Sequence, residues 1–311
     1  MSLKNNIINL LNSMPYVRGL HKDVVELREE RNAFQRNSYF PAGHYYSPIV
    51  SIDDMKARED FIWSSREIDG ITGIDLRQTQ QLRLISQLAA YYEEMPFKGE
   101  KQIDLRYYFA NPAYTYTDGC VLYAFIRHLK PKKIIEVGSG FSSALMLDTN
   151  ELFFENSIDL TFIEPYPELL HSLLSETDKS RVTIIDKIVQ SVPLVAFESL
   201  CAGDILFIDS THIAKTGSDV NYILFEILPH LKAGVFIHFH DIFYPFEYPK
   251  DWVLKGWNWN EDYILKAFLM YNEKFEIRLF SDYLHKHHKA AFSNMPLTYK
   301  NWGGAFWIEK L

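Results

Sequence analysis

The segment Lys133-Ile134-Ile135-Glu136-Val137-Gly138-Ser139-Gly140-Phe141-Ser142-Ser143 constrains this chain more than any other. An apolar run ends in an acid and a Gly-x-Gly turn, and an apolar, helix-compatible stretch follows from Ala144 to Leu147. That order reads as strand, tight turn, helix, with backbone N–H groups gathered at a helix N-terminus where a ligand can approach. Glycine permits backbone angles and close approaches that a Cβ forbids. The next apolar run, Leu160-Thr161-Phe162-Ile163, leads into Glu164. A carboxylate there is placed to accept hydrogen bonds from both hydroxyls of a ribose. The turn points to a nucleoside-bearing ligand.

From Lys132 onward the pattern is regular. Apolar strand candidates at 133–137, 159–164, 181–186, 204–209 and 234–240 alternate with helical candidates at 142–154, 166–176, 190–200 and 217–228. Pro167 and Pro193 fall near the starts of two of these helices, where a missing N–H does no harm. Such alternation implies a parallel sheet covered on both faces, with right-handed crossovers. Two more strands, 275–280 and 304–309, are expected to pair antiparallel at one edge with only loop between them. The fold class is α/β, a doubly wound, mostly parallel seven-stranded sheet. Ahead of it lie helical spacing at Gln80–Tyr92, an irregular loop at Tyr39–Pro48, and a helix at Asp118–Leu129 stopped by Pro131. Residues 1–115 read as a mostly helical N-terminal extension and 116–311 as the ligand-binding domain.

A chain of 311 residues, 47% apolar, buries a large core yet contains no apolar stretch long enough to span a membrane. Met1-Ser2-Leu3-Lys4-Asn5-Asn6 lacks secretory-signal features, and Cys120 and Cys201 are the only cysteines. A reducing, cytoplasmic setting is expected. A net charge of −8 with no long basic stripe argues against nucleic acid as a partner. The short cluster His285-Lys286-His287-His288-Lys289 reads as a solvated face. A small-molecule partner is expected, and the oligomeric state is left open, a homo-oligomer being compatible with the sequence.

Ligands of such sheets bind at the carboxyl ends of the strands, which here carry Glu136, Glu164, Asp186, Asp209 and Asp241. The order of elements and these acids resemble the class I S-adenosylmethionine-dependent methyltransferases. Glu136-Val137-Gly138-Ser139-Gly140 is similar to that family's first motif, Glu164 to the acid that binds the ribose hydroxyls, and Asp186 to the position that meets the adenine end. The resemblance implies S-adenosyl-L-methionine as cofactor, held by Glu136, Gly138, Ser139, Gly140, Glu164, Asp186 and Asp209. A nicotinamide-binding sheet, and with it an NAD-dependent oxidoreductase, is the rival. The third glycine of that fingerprint would fall at Ser143.

Asp209-Ser210-Thr211-His212 follows the fourth strand and His238-Phe239-His240-Asp241 ends the fifth. Neighbouring strands lie about 4.8 Å apart, so these two ends can converge above the sheet. The pattern resembles the metal-dependent O-methyltransferases, which implies a divalent metal on Asp209, His240 and Asp241. It departs from them in His240 or Ile242, so Mg²⁺ and a softer ion both stay open. His212 stands where catechol-type enzymes carry a lysine base, which implies His212 and Asp241 as the catalytic pair acting on a hydroxyl of a sugar or an aromatic ring. His238, one step deeper, reads as a hydrogen-bonded core residue. The aromatic loop Ile242–Trp252, with Tyr45, Tyr46 and Trp257, is a candidate acceptor pocket. Because His-x-His recurs in metal sites, a metal-dependent hydrolase stays open as well.

Overall fold

The computed structural model describes residues 14–64 and 69–311. The reading of the first six residues lies outside them. Contacts divide the chain into two compact units, Met1–Arg58 and Glu59–Leu311. The first contains helix α1 (Pro15–Asn37) and the short helix Ile52–Ala57. Ser51 caps the latter by accepting the Asp54 N–H.

The second unit holds α2 (Gln78–Leu88), α3 (Tyr116–Leu129), α4 (Phe141–Phe154), α5 (Glu168–Leu173), α6 (Leu194–Glu198), α7 (Asp219–Tyr222), α8 (Glu261–Leu269) and α9 (Ser281–His287). Its strands are β1 (Lys133–Val137), β2 (Asp159–Ile163), β3 (Thr183–Ile185), β4 (Ile205–Ile208), β5 (Phe236–Phe239), β6 (Phe275–Phe280) and β7 (Phe306–Lys310). They form one mixed sheet in the order β3-β2-β1-β4-β5-β7-β6, with helices on both sides. The first five are parallel; β7 runs antiparallel to both β5 and β6. Burial on both faces explains the unbroken apolar runs: every residue of β4 and β5 is buried.

Several expected boundaries move for identifiable reasons. The division at 115/116 falls inside the second unit, because Leu84, Leu88, Tyr107 and Phe109 belong to the same core as the strands. The helix expected over 190–200 is a 3₁₀ turn at Val189–Ser191 and then α6, separated at Pro193. The helix over 217–228 begins as α7 and passes through a wide π turn at Ile223–Ile227 before Pro229. Between β6 and β7 the chain is not loop alone. It forms α9 and two 3₁₀ turns, which bury Tyr283, Leu284 and Phe292. Among the described residues no helix is long and apolar enough to cross a membrane.

Candidate active site

Two cavities open at the carboxyl ends of the parallel strands, and Asp209 lines both. The first, about 380 Å³, lies over the turn after β1. That turn is tight because β1 and β4 are hydrogen-bonded neighbours. Asp209 donates its N–H to the Val137 carbonyl at 2.9 Å, and Gly138 donates to Ile163 at 3.0 Å. Gly138 has φ +85°, and a Cβ there would overlap the Asp209 carbonyl. Packing of one strand end on another, as much as access for a ligand, therefore requires this glycine.

Glu164 follows β2 and lines the same cavity. Its carboxylate accepts the Ser139 N–H at 3.1 Å and the Tyr166 N–H at 2.9 Å. Two backbone donors fix its direction and leave further lone pairs on each oxygen. Across the cavity Ile188, Val189 and Gln190 supply a mostly apolar wall.

Of the seven residues expected to hold the cofactor, Gly138, Glu164 and Asp209 line this cavity and four do not. Glu136 is fully buried beneath the turn, where its two carboxyl oxygens accept the Ser142 hydroxyl at 2.5 Å and the Ser143 hydroxyl. Burial pushes its pKa up to about 8, against the pull of the two serines. It is a neutral latch between β1 and α4. Ser139 contributes its N–H to Glu164, while its hydroxyl is buried without a partner. Gly140 caps α4, its N–H donating to the Ser143 hydroxyl at 3.0 Å. Asp186 is exposed just past β3 and does not line the cavity, whereas Ile188, Val189 and Gln190 do.

The second cavity, about 590 Å³, gathers Asp118, Asp209, His212, His240 and Asp241. The expected neighbourhood of β4 and β5 makes this meeting: Ile208 pairs with Phe239, and His240 donates its N–H to the Ile208 carbonyl at 2.9 Å. His212, at φ +59°, turns its ring between two carboxylates, with Nδ1 at 2.8 Å from Glu261 and Nε2 at 3.5 Å from Asp209. Glu261 is itself 1% exposed at the start of α8, and both its backbone N–H and that of Asn260 donate to the His212 carbonyl. Burial alone would lower the His212 pKa, but the bonds and charges of Asp209 and Glu261 outweigh it and hold it well above 6.5. Both carboxylates thus favour the charged form of the His212 ring.

His240 sits with Nε2 at 3.5 Å from Asp241. Burial opposes its protonation, while Asp241, Asp209 and Asp118 together raise its pKa. Asp209 goes the other way: withdrawal from water would raise it, but His240 and His212 hold it below the usual carboxylate value. Asp118, in the first turn of α3, accepts the Gly304 N–H at 2.9 Å. Burial pushes it up to about 6, opposed by the charge of His240. A Cβ on Gly303 would overlap Asp118 and one on Gly304 would overlap Asp241, so this glycine pair lets β7's approach close against both acids. His238 is fully buried and stacks on Phe207 at 4.1 Å. Neither ring nitrogen has a hydrogen-bond partner, and burial holds its pKa well below 6.5, so it is a stacked rather than a hydrogen-bonded core residue.

The expected metal does not fit this arrangement. Asp209, His240 and Asp241 share a cavity, yet the acids face imidazoles rather than one common point. No group of three or more His, Cys, Asp or Glu suited to a metal ion occurs among the described residues. The other wall of the cavity is aromatic. Trp252, Trp257 and Trp259 pack with centroids 4.7–5.5 Å apart, and Trp302 and Phe243 extend the surface. Tyr45 and Tyr46 are exposed residues of the first unit. Sequence reasoning missed Asp118, Glu261, Trp259 and Trp302. An acid in the first turn of a helix reads as ordinary dipole compensation, and nothing local ties Glu261 to His212.

A family model described as a methyltransferase domain matches residues 135–242. An uncharacterized protein of Archaeoglobus fulgidus is 34% identical over 183 residues, spanning 58% of this chain and 81% of that protein. Among solved structures, similarity is found to the Podospora anserina methyltransferase PaMTH1 bound to SAH. There the identity is 16%, the coverage 85% of this chain and 98% of that chain, and the TM-score 0.43. The O-methyltransferase TomG of Streptomyces achromogenes, in complex with SAM, is 13% identical, with coverages of 85% and 99% and a TM-score of 0.42. The chain belongs to the same family as the Archaeoglobus protein, and its matched segment makes it a methyltransferase.

Proposed function

We propose that this methyltransferase uses S-adenosyl-L-methionine and methylates a hydroxyl of a small molecule. The observation that carries the reading is Glu164: a carboxylate aimed by two backbone N–H groups, lining a cavity over a glycine turn, with lone pairs left for two vicinal hydroxyls. The apolar wall at Ile188 and Val189 suits a base, and the cavity volume lies in the range of small-ligand sites. When bound, S-adenosylmethionine supplies an electrophilic methyl group on a sulfonium. The remaining work falls to the chain's own residues.

Asp209, common to both cavities, marks where donor and acceptor meet. The tryptophan wall takes the apolar face of a ring. His212 is the proposed base. It must first shed the proton its carboxylates hold on it, and the weaker hold is on the Nε2 side, 3.5 Å from Asp209 against 2.8 Å to Glu261. Glu261 keeps the ring oriented while Nε2 accepts the acceptor's hydroxyl proton. The rate is therefore expected to rise with pH until His212 is neutral. Asp241 positions His240 at the acceptor's side, and no metal takes part in this scheme. Two unpaired cysteines, Cys120 buried and Cys201 exposed, support a reducing, cytoplasmic setting.

Calorimetric titration with S-adenosylhomocysteine tests the reading. One site per chain is expected, and Glu164→Ala is expected to weaken it by about 10- to 100-fold, the loss of charged hydrogen bonds. Absence of binding to the wild-type chain, or equal affinity in the variant, sinks the proposal.

A further inference from the structure

None of the 23 residues of α1 is buried. An isolated helix has little stability of its own in water and ordinarily depends on packing an apolar face. Such a face is present. Val17, Leu20, Val24, Leu27 and Phe34 follow one another at alternating steps of three and four, with Arg31 completing the series. Leu20 is 47% exposed and Leu27 64%, and Val24 and Phe34 are exposed as well. Steps of three and four are the a and d positions of a heptad seam, the pattern of helices that wind around a partner.

We infer that α1 pairs, parallel and in register, with α1 of a second copy of this chain. Charge selects this occupant and this direction. With Val17, Val24 and Arg31 at a, the flanking g positions are Tyr16, Asp23 and Glu30, and the e positions are His21, Arg28 and Gln35. Parallel pairing sets each g residue beside the e residue of the following heptad on the other helix, so Asp23 meets Arg28 twice by symmetry. Antiparallel pairing sets g against g and e against e. Acids would then confront acids, and Arg28 would face only like or neutral groups. Glu30 also flanks Arg31 and supplies a carboxylate to the one charged residue in the seam. The pairing does not depend on the methyl-transfer reading.

Sedimentation of the full chain tests it. The wild-type chain is expected to sediment as a dimer at micromolar concentration, and Leu20→Glu/Leu27→Glu as a monomer. Asp23→Lys is expected to weaken the dimer by about tenfold, since two attractive pairs become repulsive. Asp23→Lys/Arg28→Glu is expected to restore it. Circular dichroism checks the apolar variant; should that variant unfold, the exposed charge pair carries the test. A wild-type monomer at every concentration overturns the inference, whether the stripe then binds a foreign helix or nothing. So does a dimer indifferent to all three variants. Failure of the double exchange to restore pairing overturns the parallel register.

Discussion

The two cavities that meet at Asp209 are made of different materials. The first is built by backbone: a turn after β1, a turn after β2, and a strand end that packs on Gly138. The second is built by side chains that return from distant parts of the chain, among them Asp118 on α3, Glu261 on α8, and Trp302-Gly303-Gly304 before β7. A backbone-built site leaves a compact mark in the sequence, because the strand–turn–helix that forms it is contiguous. A side-chain-built site leaves scattered marks, and its chemistry is set by which charges the fold brings together.

This contrast predicts different failures for the two cavities. The largest effect is expected at His212→Gln, where kcat falls by about 10²- to 10⁴-fold, the usual contribution of a positioned base. S-adenosylhomocysteine affinity, set in the other cavity, should stay unchanged. An equal loss of both would mean that the two cavities are not functionally separate. Gly138→Ala should break the backbone-built side: the added Cβ meets the Asp209 carbonyl and the φ of +85° disfavours alanine. A loss of about 3 kcal/mol in urea unfolding is expected from that overlap and strain. Wild-type stability in this variant would show that the strand ends pack less tightly than described.

A further expected effect concerns the latch beneath the turn. Glu136 stays protonated in the folded chain up to about 8, whereas in the unfolded chain it ionises near 4.5. Between these values the unfolded state binds fewer protons, so stability falls as pH rises through the window. Glu136→Gln keeps the shape and removes the titration. Urea midpoints measured at both ends of the window should show a flatter pH dependence and the variant ahead at the alkaline end. An identical slope in both proteins would mean that Glu136 is ionised in the fold.

The turn at 133–143 and Glu164 were legible because each lies next to the strand that positions it. The five parallel strands were legible for a related reason, since strands buried on both faces are mostly apolar, and β6 and β7 were legible as two further apolar runs late in the chain. The fate of Glu136 was not. An acid before Gly-x-Gly looks like a ligand until Ser142 and Ser143, one turn later, are seen to claim both its oxygens. The grip of two carboxylates on His212 was hidden for the same reason, since Glu261 reaches it only after β5 and the aromatic loop have been laid down. The metal expectation treated three side chains as if they faced one point; in the fold they pair as acid and imidazole.

A crystal structure with S-adenosylhomocysteine bound tests the central claim most directly. The ribose hydroxyls are expected within hydrogen-bond distance of the Glu164 carboxylate, the base against Ile188 and Val189, and the sulfur facing Asp209 and the tryptophan-walled cavity. A ligand seated elsewhere, or a ribose that leaves Glu164 untouched, would contradict the account.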